Sequence, residues 1–184
     1  MLGTLIGGLM VAAAPAAAAA PCPVGPERPV LASVAFDVPR EGSTLLFSTA
    51  PAGHNVRYAL KMVWAPGEGK ATATLIRLRL RPDCNVVEAQ GRWDLDLSSK
   101  EAEKAFAAAS ALQRTAAGAA DVALDGATVE VQLYENRRPY FAYRANGAAK
   151  EEVSRVLLEI ARRHVPGREL PGADWRYRAT TKVR

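Results

Sequence analysis

The residues best suited to chemistry in this 184-residue chain are cations recurring at alternate positions: Arg57 and Lys61, then Arg77, Arg79 and Arg81, then Arg92. Each sits in a stretch that alternates apolar and polar residues, the period of a half-buried strand. Val56, Tyr58, Leu60, Met62 and Trp64 alternate with Arg57 and Lys61, and Ile76, Leu78 and Leu80 alternate with the three arginines. A third run sets Val87, Ala89, Trp93, Leu95 and Leu97 against Glu88, Gln90, Arg92, Asp94 and Asp96. Three such strands in a meander would place all six cations on the sheet face opposite the core, with neighbours about 4.8 Å apart. That patch predicts a polyanion-binding face, because planar guanidinium groups grip phosphate and carboxylate bidentately. The competing and commoner arrangement is a solvated face laced with cross-strand ion pairs. Pairing of Arg81 with Val86 would set Arg79 opposite Glu88 and Arg77 opposite Gln90.

Signals for catalysis are sparse. The only histidines are His54, after a Pro-Ala-Gly loop, and His164, at a helix end, and neither stands in an HExxH or HxH spacing. No Gly-x-Ser-x-Gly elbow surrounds a serine. Gly67-Glu68-Gly69-Lys70 departs from a phosphate loop, with Trp64 where the first Gly belongs and Ala71 where Ser or Thr belongs. A small hydrolase would need the fold to assemble scattered residues such as His54, Asp94 and Ser43. No catalytic residue, cofactor or metal site is assigned from the sequence.

Residues 1–20 carry no charged side chain, run apolar from Leu2 to Ala14 and end in Ala18-Ala19-Ala20, which predicts an export signal cut near Pro21. Pro15 interrupts the apolar run, so a spanning helix is not expected, nor one after cleavage. The expected location is periplasmic or secreted. Cys22 and Cys84, the only cysteines, would then form one disulfide, since an oxidising compartment favours pairing. Closing that loop would stabilise by about 3–4 kcal/mol. The net charge of +5 lies wholly outside the leader and suits anionic lipid headgroups or acidic polymers outside the cytoplasm, rather than nucleic acid. A protein partner in the envelope is a further possibility.

The elements that must position these residues follow from periodicity and punctuation. Residues 21–29 hold four prolines and read as an extended lead-in to a domain spanning 30–184. Val30 to Asp37 and Ser43 to Thr49 are expected as short strands around Pro39-Arg40-Glu41-Gly42. Ser98-x-x-Glu101 is a capping box opening an Ala-rich helix. Thr128 to Tyr134 and Pro139 to Arg144 predict a hairpin, and about 148–164 a second helix ended by Pro166-Gly167. Trp175, Tyr177 and Ala179 suggest a short last strand. The sum is a single α+β domain with an antiparallel meander sheet of six or seven strands and two helices on one face. Its expected function is non-enzymatic binding of an anionic or amphiphilic envelope component; a small periplasmic hydrolase, or a structural partner of another envelope protein, is the alternative.

Overall fold

The computed structural model describes residues 30–50, 56–65, 67–80, 87–116, 128–146, 151–166 and 170. Six strands form one antiparallel sheet: β1 (Ser43–Ala50), β2 (Val56–Trp64), β3 (Lys70–Leu80), β4 (Val87–Ser98), β5 (Thr128–Glu135) and β6 (Arg138–Asn146). Their spatial order is β4-β3-β2-β1-β5-β6. A four-strand meander therefore continues through a helical crossover into a hairpin that docks beside β1. Among the described residues three helices accompany the sheet: α1 (Val30–Ser33), α2 (Ser99–Ala116) and α3 (Glu151–His164). The expected α+β domain is what the chain forms, with one helix more than expected.

The inner face of the sheet packs against α2 and α3. Leu45, Phe47, Leu60, Met62, Leu75, Leu95, Val131 and Leu133 join Ala102, Ala105, Phe106 and Ala109 of α2 and Val153, Val156, Leu157 and Ile160 of α3 in one buried cluster. The alanines on α2 have no side chain beyond Cβ, so the helix lies close to the strands. Trp64 fills the layer against Phe106, ring centroids 5.6 Å apart.

Part of the outer face is also covered, which the sequence pattern did not suggest. Val30, Leu31, Leu46, Ala59, Ile76 and Leu78 make a second buried cluster, flanked by Val34, Phe36, Val38 and Tyr134. Residues 30–38 thus cross the sheet as a strap rather than joining it, and the expected strand over Val30 to Asp37 is instead α1 followed by irregular backbone. The cause is tertiary. The Glu130 carboxylate, 4% exposed, accepts the Val30 N–H at 3.1 Å and the Leu31 N–H at 2.9 Å. Two orphan amide donors of a short helix are thereby satisfied by an acid nearly one hundred residues away in sequence. Ser48 Oγ donates to the same carboxylate at 2.9 Å, and Arg144 Nε lies 3.1 Å from its other oxygen.

Strand β3 changes phase along its length. Ala71, Ala73 and Leu75 pair with Trp64, Met62 and Leu60 on the inner face, whereas Ile76 and Leu78 pair with Ala59 and Arg57 on the outer. Its register against β2 is continuous, so the switch lies in the residue types: two apolar half-patterns of opposite phase meet at Leu75-Ile76. A β-bulge against β4 between Arg77 and Leu78 leaves Gln90 unpaired and sets Ala89 opposite Leu78 on the outer face. This corrects the expectation that Ala89 shares a face with Trp93.

Ser98 and Glu101 form the expected capping box. The Ser98 N–H and Oγ–H donate to Glu101 Oε2 at 3.0 and 2.8 Å, and the Glu101 N–H reaches Ser98 Oγ at 3.3 Å. The first turns of α2 lie against the last turns of α3, where Lys104 meets Glu159 at 3.2 Å and His164 Nε2 meets Glu101 Oε1 at 3.2 Å. Among the described residues no helix is long and apolar enough to cross a membrane.

Candidate functional site

The phase change of β3 sets Arg77 and Arg79 on the face opposite Arg57, Lys61 and Arg92, so the five described cations do not form the single outer patch expected from the alternation. Arg57, Lys61 and Arg92 are on the outer face, and each is engaged. Arg57 is 3% exposed beneath the strap and donates to the Val56 carbonyl at 3.2 Å. Lys61 Nζ donates to the Asp37 carbonyl at 3.3 Å. Arg92 pairs with Asp94 at 3.4 Å. The Thr74 hydroxyl also donates to Asp94, at 2.7 Å, and with Arg92 it holds that carboxyl below the usual range.

Arg77 and Arg79 share the phase of Leu75 and therefore belong to the inner face. Arg77 stands opposite Tyr58 on β2 and Gly91 on β4, and Arg79 opposite Val56 and Glu88. The Arg79–Glu88 pairing is the one the turn geometry predicted; Arg77 meets Gly91 rather than Gln90 because of the bulge. Arg81 lies outside the described residues, as do the leader, the Pro-rich lead-in, Cys22, Cys84, His54 and the Trp175–Thr180 segment.

Around Arg77 the register builds a polar row across an otherwise apolar face. Val129, Thr49, Tyr58, Arg77 and Gly91 are successive neighbours on β5, β1, β2, β3 and β4. Thr49 is fully buried and its hydroxyl has no hydrogen-bond partner, an arrangement that ordinarily costs about 1–3 kcal/mol. Tyr58 is 4% exposed. The Trp93 ring lies over Gly91: a Cβ at that position would meet Trp93 Cη2 at 2.5 Å. Glycine is what lets the indole cover the backbone beside Arg77. Two guanidinium groups, two hydroxyls and an indole thus gather at one end of the inner face, with Glu88 the acid that stands opposite in register. Thr49 and Tyr58 are buried, so the members of this set open to solvent are Arg77, Arg79 and Trp93, side-chain types that suit an anion and an apolar group respectively.

Of the residues named for a fold-assembled hydrolase, His54 lies outside the described residues, and Ser43 and Asp94 are not brought together. Ser43 shares the inner phase of Leu45 and donates to Glu135 Oε2 at 2.6 Å. Asp94 faces outward from β4, three strands away, roughly 14 Å at the usual strand spacing. His164 and Ser98 both bond the Glu101 carboxylate, which stands between them, so the imidazole is not set against the hydroxyl as a base would be. Burial pushes the Glu101 carboxyl up, but the Ser98 amide, the Ser98 hydroxyl and His164 outweigh it and bring it down to about 2. Among the described residues no group of His, Cys, Asp and Glu is arranged to hold a metal ion.

Sequence reasoning missed Glu130 altogether. Its signal is an acid between Val129 and Val131 opposite Ser48, inside a strand with apolar neighbours on both sides. Comparison with protein-family models, curated proteins and solved structures finds no match to this chain.

Proposed function

We propose that this chain is an exported, non-enzymatic binding module that takes an anionic or amphiphilic envelope component at the inner-face arginine pair. The observation that carries the reading is the register that sets Arg77 against Tyr58 and Gly91. Arg77 is half-buried and Arg79 exposed at the margin of the apolar layer, where planar guanidinium groups can offer paired donors to a phosphate or carboxylate. The apolar leader supplies the compartment, and the net charge of +5 supplies a general attraction to anionic partners. The outer-face cations hold the strap and pair locally, and this reading assigns recognition to Arg77 and Arg79 by their place at the margin of the inner face.

The test is a fluorescence titration with monomeric dodecyl phosphate, using Trp93 as the nearby reporter and dodecyl maltoside as the uncharged control. The double variant Arg77→Glu, Arg79→Glu should weaken binding at least tenfold, while Lys61→Glu, Arg92→Glu on the other face should change it less than twofold. Equal affinity in both variants would remove the inner pair from the account. Export is tested separately by the intact mass of protein recovered from the envelope fraction. A mass beginning near Pro21, with two cysteines alkylated only after reduction, is expected; a full-length mass with two free thiols would overturn it.

A further inference from the structure

A second cationic feature lies at the opposite end of the sheet, on the turn between β5 and β6. Asn136 and Arg137 both adopt left-handed backbone, with φ of 48° and 66°. Two-residue hairpin turns of this handedness match the twist of their strands and ordinarily carry glycine at the second position. Here that position holds an arginine, a residue whose Cβ makes the conformation costly. The turn is anchored without the Arg137 side chain. Asn136 N–H donates to the Gly42 carbonyl at 3.0 Å, and the Gly42 N–H donates to Asn136 Oδ1 at 3.0 Å. Arg137 and Arg138 are exposed. Tyr140, two residues on and left unpaired at a second bulge, is 48% exposed, the one large hydrophobic side chain so exposed among the described residues. Strain retained where glycine would relieve it, beside a second cation and an exposed aromatic ring, is a reason to look for a surface that uses all three.

We propose that this hairpin tip docks on an anionic lipid surface, with Arg137 and Arg138 against headgroup phosphates and Tyr140 at headgroup depth. Charge complementarity selects the partner, because a polar-tipped aromatic ring beside cations suits the bilayer interface. The surface is separate from the Arg77–Arg79 pair, since Glu135 is in register with Ser43 and Trp64 at one end of the strands while Arg79 is opposite Val56 at the other.

The test is co-sedimentation of the chain, as recovered from the envelope, with phosphatidylcholine vesicles containing or lacking one quarter phosphatidylglycerol, at low salt. The chain should partition to the anionic vesicles and not to the neutral ones. Arg137→Gly should lower the partition coefficient about fivefold, roughly the effect of one cation at such a surface, while its thermal midpoint stays level or rises. Arg138→Ser should lower partition by a similar factor, and Tyr140→Ser should lower it as well. Failure of the wild type to sediment with anionic vesicles would overturn the proposal. So would an Arg137→Gly variant that loses stability and keeps its partition, which would make the arginine structural. Partition lost only in Arg77→Glu, Arg79→Glu would assign the lipid contact to the other end of the sheet, overturning this proposal and sparing that site.

Discussion

The two faces of this sheet are covered by different means, the outer one only in part. The inner face is buried by α2 and α3 through apolar contact along their length, and the outer face by a strap of residues 30–38 held through one carboxylate. Apolar contact is non-directional and spread over many residues, so each one removed costs only its own share. A carboxylate that satisfies two backbone amides, a hydroxyl and a guanidinium concentrates the same task at a single residue. The inner face can therefore accommodate polar residues at its margin, and the strap on the outer face depends on the latch remaining intact.

Removing Glu130 should have the largest effect on the strap. Glu130→Ala leaves the Val30 and Leu31 amides, the Ser48 hydroxyl and Arg144 without their common acceptor, and should cost about 3–5 kcal/mol in a urea titration. A cost under about 1 kcal/mol would show that apolar contact alone holds the strap. Next comes a pair of neighbours on opposite faces, Leu75 at 2% exposure and Ile76 at 9%. Leu75→Ala and Ile76→Ala should each destabilise by about 2–4 kcal/mol. A harmless Ile76→Ala would mean that the outer cluster does not behave as a core.

Smaller effects sharpen the picture. Gly91→Ala must displace the Trp93 ring and should cost about 1–3 kcal/mol while shifting the tryptophan emission. Acid should weaken the junction of α2 and α3 through Glu101, whose carboxyl is brought from its ordinary 4.5 to about 2. Because the folded value lies below the unfolded one, this contribution is complete above about pH 4.5 and fades as the pH falls toward 2; we expect about 1–2 kcal/mol, absent in Glu101→Gln. Equal acid sensitivity in wild type and Glu101→Gln would refute it. Arg92→Ala should change stability by less than about 0.5 kcal/mol, since both partners of its ion pair with Asp94 are more than half exposed.

Much of the frame was legible from local pattern. The Val56–Trp64 alternation, the Ser98–Glu101 capping box, both long helices and the β5–β6 hairpin follow from spacing that short-range geometry dictates. The misreadings share one origin, in that alternation tells which residues share a face but not how many faces are buried. Alternation alone sets Ile76 and Leu78 toward the helices, whereas the second apolar layer takes them to the outer face and puts Arg77 and Arg79 on the inner one. Gln90, as the bulged residue, shifted the phase of β4 at a point where only strand pairing could reveal it. The latch was invisible for a further reason: Glu130 and Val30 are partners at a distance in sequence that no local spacing spans.

If the proposed recognition belongs to the polar margin of the inner face, backbone amide shifts during titration with dodecyl phosphate will be largest on Thr49, Tyr58, Arg77, Arg79 and Gly91, together with the Trp93 indole N–H, while Ala59, Lys61 and Arg92 stay in place. Changes concentrated on the outer-face residues, or none at saturating probe, would contradict it.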